Sequence, residues 1–204
     1  AIARRVRRRG YQAVTLIDVD GFKRLLGTPP AMIFMLLDRF CGVCVIPEND
    51  ILGSVTQLMV HHLTGQCAAY LEFYEFFEDA LLCGVPDFIP QEATLGASRI
   101  YPAAFGMLSE SLLNVSQVRG GDVTLARLLY ADGKYTMHLE RGQARQPRAW
   151  EECGWEPPAP QLPSLEIVPE HGVRAFAQRA GSQHVIVAWG DAENRIRRLC
   201  AMLG

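Results

Sequence analysis

No stretch of this 204-residue chain is apolar for long enough to cross a bilayer. Its most apolar helical candidate, residues 31–40, falls far short of the ~20 residues a hydrocarbon core demands, so no membrane partner is expected. A charge excess is missing too: 20 basic against 22 acidic residues give a formal net charge of −2, and nothing general draws the chain to nucleic acid. The one basic run, Arg4-Arg5-Val6-Arg7-Arg8-Arg9, holds no aromatic residue and is closed by Gly10. It reads as an exposed helix end, where arginines oppose the dipole and bond the last carbonyls. No signal or transit segment is present, and the first residues already read as mid-helix; a fragment of a longer, cytoplasmic protein is expected. Internal repeats and low-complexity tracts are absent as well.

A zinc framework is also lacking. The six cysteines, Cys41, Cys44, Cys67, Cys83, Cys153 and Cys200, are irregularly spaced. Cys41-Gly42-Val43-Cys44 has the C-x-x-C form, but no second pair completes it. It also runs into a strand, whereas a redox dithiol opens a helix. Free thiols, most of them buried, in a reducing compartment are expected.

What is there is an ordinary globular composition, 49% apolar and 21% charged, in a chain long enough to bury a sizeable core. Residues 13–64 read as β-α-β-α. Ala13–Val19 is an apolar strand, Pro29 and Pro30 open a helix behind Thr28 as cap, and Ala31–Cys41 fills it up to Gly42. Val43–Ile46 is a second, β-branched strand. Asp50–Thr64 then places Ile51, Leu52, Val55, Leu58, Met59 and His62 at helical spacing, closed by Gly65. Such a unit implies parallel strands with a right-handed crossover. Glu48 therefore falls where a strand ends and a helix begins, the position at which open α/β sheets bind ligands. A carboxylate there feels the helix N-terminus, which favours its ionised form. The plain alternative is that Glu48 or Asp50 merely caps the helix.

Beyond Gly65 the pattern turns to strands. Cys67–Phe77 is aromatic and strand-forming, and Ala80–Val85 is a candidate partner. Asp87–Ser98, flanked by Pro86, reads as loop, and Met107–Val118 is ambiguous between helix and strand. Val123–Ala131 and Lys134–Glu140 form a hairpin around Asp132-Gly133, after which Gly142 permits a sharp bend. Residues 146–163 hold five prolines together with Trp150 and Trp155, which suggests an extended segment lying against a neighbour, such as another subunit. Leu165–Val168 reads as a strand, Gly172–Ala180 as a short helix and His184–Trp189 as a buried strand. A final helix, Ala192–Met202, carries Ile196, Leu199 and Leu203 on one face. The expected class is α+β: residues 1–64 end a parallel α/β domain, and residues 65–204 form a mainly antiparallel, barrel-like β domain with a few helices.

Three residues stand out for chemistry. Glu48 ends a strand, Glu72 interrupts an aromatic strand, and His184 opens a strand. Two carboxylates and an imidazole, with positions left open, suit a hard or borderline divalent ion. Singly, each has a structural explanation: an exposed strand glutamate, a hydrogen-bonded histidine. An unpaired carboxylate among residues that want burial, however, needs compensation, and a cation supplies it.

Glu48-Asn49-Asp50 after an apolar strand, the block Leu71-Glu72-Phe73-Tyr74-Glu75, and Gln183-His184-Val185 with Gly190-Asp191 resemble the L-fucose isomerase family, relatives of the L-arabinose isomerases. The resemblance rests on order and spacing and covers nearly the whole chain. It implies a divalent metal, usually Mn²⁺, held by Glu48, Glu72 and His184. Glu48 and Glu72 double as the proton-transfer pair, and Asn49 and Asp50 orient the site from behind. Many members have aspartate where Glu72 stands. The further histidine usual in arabinose isomerases has no counterpart in Leu82-Cys83-Gly84-Val85-Pro86, which favours the fucose type. The implied activity is aldose–ketose isomerisation of a small sugar through an enediol(ate), in a homo-oligomer. The alternatives are a non-catalytic sugar-binding or assembly domain and a sugar lyase or epimerase of related chemistry.

Overall fold

The computed structural model describes residues 1–85, 88–102, 112–149 and 162–204, with the side chains of residues 19, 20 and 113 set aside. Trp150, Trp155 and Cys153 lie outside the described residues, as does most of the proline-rich segment expected to meet a neighbour. Helix α1 (Ile2–Arg9) is closed by Gly10 in the left-handed conformation, whose N–H donates to Val6 O. Strand β1 (Ala13–Thr15) follows, then a wide turn over Asp18–Phe22 and the single-turn helix α2 (Lys23–Leu26). The apolar run at 13–19 therefore yields a shorter strand than expected. Helix α3 (Ala31–Cys41) begins behind Pro30, and the Thr28 hydroxyl donates to Pro29 O instead of capping it. β2 (Cys44–Ile46), fully buried, pairs with β1 in parallel, Val14 opposite Val45. These two strands are the whole of the described parallel sheet.

Helix α4 (Ile51–Thr64) leads to β3 (Ala69–Phe76) and β4 (Leu81–Gly84). The stretch expected to be loop after residue 87 holds one helical turn, Gln91–Ala93, and then β5 (Thr94–Pro102). β5 pairs with β6 (Leu112–Val118), so the ambiguous segment is strand where it is described. β7 (Gly121–Ala131) and β8 (Lys134–Arg145) form the expected hairpin. Asp132 and Gly133 both adopt positive φ, 51° and 77°, as a two-residue turn of this kind requires. β8 continues through Gly142, which pairs with Val123 on one side and Pro169 on the other. β9 (Ser164–Pro169), α5 (Val173–Ala177), β10 (His184–Trp189) and α6 (Glu193–Leu203) complete the chain. On α6, Ile196 is buried but Leu203 is exposed, and Cys200 takes the place on the packed face expected of it.

Six strands close into an antiparallel barrel in the order β10-β3-β4-β9-β8-β7. Alternation along each strand sends one set of side chains inward. Ala69, Leu71, Leu81, Cys83, Val123, Leu125, Ala144, Leu165, Ile167, Val185 and Val187 form one cluster fed by all six strands, with Phe176 of α5 packed into it. The other set, Tyr70, Ala126, Leu139, Ile186 and Ala188, faces outward onto Ile46, Val60 and Ile196. The outer face of the barrel is thus roofed by β2, α4 and α6.

The packing of α4 departs from its apolar spacing. Ile51 is 65% exposed and Val55 39%, whereas Gly53, Ser54, Thr56, Gln57 and Val60 are buried. Small polar residues win because the barrel surface beneath offers backbone groups to satisfy. Leu128 N donates to Thr56 Oγ1 at 3.0 Å, and Gln57 Nε2 donates to Ala68 O at 2.7 Å. Thr56→Val keeps the shape but leaves the Leu128 N–H without that acceptor. It is expected to cost about 1–3 kcal/mol in urea unfolding, and an unchanged midpoint would show that the helix docks on shape alone.

Candidate metal centre

After β2 the chain must turn from strand to helix in a few residues. It does so through Glu48 and Asn49, both left-handed at φ 63° and 56°. Positive φ in a glutamate costs of order 1–3 kcal/mol and persists only where surroundings impose it. Here Asn49 N donates to Leu16 O at 2.9 Å and Thr15 Oγ1 to Pro47 O at 3.4 Å, tying the turn to the end of β1. Asn49 thereby contributes through its backbone. Asp50 then caps α4, accepting from Gly53 N at 2.8 Å.

The barrel brings the other two residues to this turn. β3 and β10 are antiparallel neighbours with Glu72 directly opposite His184. Glu48, Glu72 and His184 each offer a ligand atom, and the three atoms lie within 4.8 Å of one another. His184 Nε2 is 3.1 Å from Glu48 Oε2, and Gln183 Nε2 donates to Glu72 Oε1 at 3.0 Å. All three residues singled out by sequence therefore meet at one point on the barrel's outer face.

Behind them stands a second set. The Tyr70 ring stacks on His184, centroids 4.8 Å apart and planes 21° from parallel, while its hydroxyl donates to Asp50 Oδ2 at 3.1 Å. Arg127 lies one residue beyond the last β7–β10 pair, Ile186 with Ala126. It grips Asp50 with both guanidinium arms: Nη2 to Oδ1 at 3.1 Å, and Nη1 to Oδ2. A Cβ at Gly53 would sit 2.7 Å from Asp50 Oδ2 and 3.0 Å from Arg127 Nη1, so only glycine lets the pair close there. Asp50 thus caps the helix and at the same time anchors the Tyr70 hydroxyl and the Arg127 guanidinium.

The electrostatics separate these acids. Burial first, then the charges of Asp18, Glu72 and Asp50, push Glu48 up to about 7, although 37% of its side chain is open to solvent. The expectation that the helix N-terminus favours an ionised Glu48 is not met, because burial and the charges of Asp18, Glu72 and Asp50 outweigh it and Asp50 itself occupies the cap. Burial, reinforced by Asp18, also raises Glu72 against the opposing Gln183 hydrogen bond. Asp50 ends below the ordinary carboxylate range: burial acts upward, but the Arg127, Gly53 and Tyr70 bonds and the Arg127 charge outweigh it. His184 is driven down to about 4, chiefly by burial. Near neutral pH its imidazole is uncharged, and the protonated Glu48 carboxyl can donate to Nε2.

This donor set fits a divalent ion. Two oxygens and a neutral nitrogen converge, and the burial and mutual repulsion that keep protons on the carboxyls are what a cation would relieve. Glu72 is half-buried, less enclosed than its apolar neighbours in sequence imply. Sequence reasoning missed Asp18, Tyr70 and Arg127. Asp18, 3% exposed, follows β1 at the sheet end that carries Glu48, and that rule of position could have found it. Tyr70 sits two residues before Glu72 on the same strand face. Arg127 gave no local signal. A separate cavity of about 600 Å³, lined by Leu95, Arg99, Val115, Gln146 and Ser164 among others, contains none of the triad.

No family model and no curated protein matches the chain.

Two outcomes follow from the geometry. A proton on Glu48 competes with a cation, and its removal becomes complete only above about pH 7. Mn²⁺ affinity is therefore expected to fall at least tenfold per pH unit from 7 down to 5.5, more steeply where the raised Glu72 carboxyl also takes up a proton, with His184 adding nothing until near pH 4. Titration calorimetry at pH 7.5, 6.5 and 5.5 checks this, and a flat profile would contradict it. The Arg127–Asp50 pair is only 11–12% exposed. Arg127→Met strands a buried carboxylate and is expected to cost about 3–5 kcal/mol by urea unfolding; a loss under about 0.5 kcal/mol would remove the pair from the account.

Proposed function

We propose that this chain carries the metal ligands and acid–base pair of an aldose–ketose isomerase resembling the L-fucose isomerase family. The observation that supports this reading is the convergence of Glu48, Glu72 and His184 from three separate segments to within 4.8 Å. When bound, a divalent ion such as Mn²⁺ would polarise the carbonyl of an open-chain sugar and offset negative charge on its neighbouring oxygens.

The rest is the work of the chain's own groups. Isomerisation needs a proton taken from one carbon and returned to the next, with matching transfers on oxygen. A general acid–base group must be able to trade protons with its surroundings, and Glu48, with 37% of its side chain in solvent, is the member of the triad open to that exchange. Glu72 is the second carboxyl, oriented by Gln183. His184, neutral and held flat against Tyr70, is a ready nitrogen ligand. Asp50, pinned by Arg127, fixes the turn that presents Glu48. Glu72, where many family members have aspartate, carries its carboxyl one methylene further out and displaces the ligand position accordingly. In this reading the substrate is a small sugar, the product its ketose, and the full-length protein a cytoplasmic homo-oligomer.

One observation favours a second reading. Glu48 and His184 already satisfy each other at 3.1 Å, as suits a sugar- or metal-binding assembly domain without turnover. Mn²⁺ at a hundredfold excess over its Kd is expected to stabilise the protein by about 2.7 kcal/mol, seen as a raised Tm, and Glu72→Gln to abolish the rise. The full-length protein should convert L-fucose, D-arabinose or a related aldose to its ketose, and Glu48→Gln should remove that turnover. Stabilisation without turnover selects a metal-binding assembly domain; no stabilisation at all eliminates the isomerase and leaves only a metal-free sugar-binding domain.

A further inference from the structure

Helix α1 carries five arginines in eight residues, and the first 17 residues of the chain hold no aspartate or glutamate. Elsewhere arginines are neutralised locally: Arg127, Arg141, Arg145, Arg148, Arg179 and Arg197 each meet a carboxylate. Among the described residues none of the α1 arginines does, and all five are exposed. Arg7 alone is hydrogen-bonded, its Nη2 donating to Phe40 O at 3.0 Å. The helix dipole accounts for Arg7, Arg8 and Arg9 in the last turn, but Arg4 and Arg5 lie near its positive end. Arg4 with Arg8 and Arg5 with Arg9 are also like-charged pairs four residues apart, which work against the helix.

The arginines are nevertheless displayed from a fixed base. Val6 is 4% exposed, packed among Phe34, Leu37, Val43 and Val45, and Tyr11 N donates to Val6 O at 3.1 Å just past the Gly10 cap. Beside this helix lies a cavity of about 620 Å³. Arg4, Arg5 and Arg8 line it together with Tyr11, 47% exposed, and the apolar side chains of Ile2 and Val14. Its volume falls within the range of small-molecule sites, and none of Glu48, Glu72 and His184 reaches it.

We propose that this cavity binds a nucleoside polyphosphate, with the phosphates held by Arg4, Arg5 and Arg8 and the base laid on the Tyr11 ring. A guanidinium is charged at every working pH and matches phosphate oxygens two at a time. A tyrosine face stacks on any base, and Ile2 and Val14 give that base an apolar wall. The bound phosphates offset the repulsion that α1 carries when free. A bare phosphate would use the arginines and leave the tyrosine without a role, whereas a nucleotide uses both. The site is independent of the isomerase reading, and either can fail without the other.

The test is calorimetric titration of the whole chain with ADP in low-salt buffer containing EDTA, with adenosine, pyrophosphate and an oligouridylate RNA as comparison ligands. ADP is expected to bind one to one and to weaken as KCl is raised. The double variant Arg4→Gln, Arg8→Gln is expected to lose about tenfold or more in affinity, with an unchanged urea midpoint because both side chains are exposed. Tyr11→Ala should cost about fivefold or more, and Tyr11→Phe nothing. Adenosine should not bind, and pyrophosphate should bind more weakly than ADP and be indifferent to Tyr11→Ala. No heat from ADP at millimolar concentration, an ADP affinity unchanged in the double variant, or pyrophosphate binding as tightly as ADP would overturn the proposal. An oligouridylate that binds more tightly than ADP would overturn it too, by assigning the face to nucleic acid.

Discussion

Asp50 is the group on which the rest of the arrangement depends. Its two oxygens accept from the Gly53 N–H, the Tyr70 hydroxyl and both arms of Arg127. Each donor comes from a different element: the first turn of α4, a barrel strand, and the start of the hairpin arm that leaves the barrel. One carboxylate therefore fixes where α4 begins, how α4 sits on the barrel, and which way the Tyr70 ring faces. Because His184 stacks on that ring, the imidazole's orientation follows from the same contact. A bidentate guanidinium suits this role better than an ammonium would, since its planar fork fixes direction as well as charge.

The contrast between Asp50 and Glu48 shows how far two acids in one turn can diverge. Both are partly buried and both lie at the N-terminal end of α4. Asp50 receives the Arg127 guanidinium, the Gly53 N–H and the Tyr70 hydroxyl and is held below its ordinary range; Glu48 receives none of these and is lifted to about 7. The helix dipole does not distinguish them, because its effect fades within a turn and the N–H group that expresses it is already committed to Asp50. What remains for Glu48 is desolvation and the repulsion of Asp18, Glu72 and Asp50. Its proton can then rest only on the carboxyl or be replaced by something else positive.

Much of this was legible in the sequence because it was local. Periodicity and turn chemistry sufficed for β10, for the β7–β8 hairpin and for α3, since each is fixed by residues within a few positions of one another. The three ligand candidates stood out because polar groups interrupt apolar runs at Glu72 and His184, and because strand-to-helix junctions collect ligands. What stayed hidden depends on pairing across distance. Arg127 reaches Asp50 across 77 residues, and nothing in its own neighbourhood announces a partner. The buried face of α4 was misjudged for a related reason: apolar spacing predicts burial against an apolar surface, but the surface under α4 presents backbone groups, so Thr56 and Gln57 turn inward and Ile51 turns out. The loop expected after residue 87 failed similarly. Thr94–Pro102 is mostly exposed and lacks the apolar alternation of a half-buried strand, so only its pairing with β6 makes it one.

The placement of the triad on the outer wall of the barrel has a physical reason as well. The interior is filled by an apolar cluster from all six strands, where three ionisable groups would be desolvated without partners. The outer wall has the opposite problem: it needs a cover, and β2 with α4 supplies one that is apolar at Ile46 and Val60 and polar toward its N-terminal end. Where the cover thins, at the turn between β2 and α4, Glu48 keeps 37% of its side chain in solvent, while His184, one layer down, is only 8% exposed. That gradient separates a group able to exchange its proton from a nitrogen kept neutral and still. It arises because one short parallel pair ends where two antiparallel strands of a closed barrel run past beneath it, and neither unit alone would bring the three side chains together.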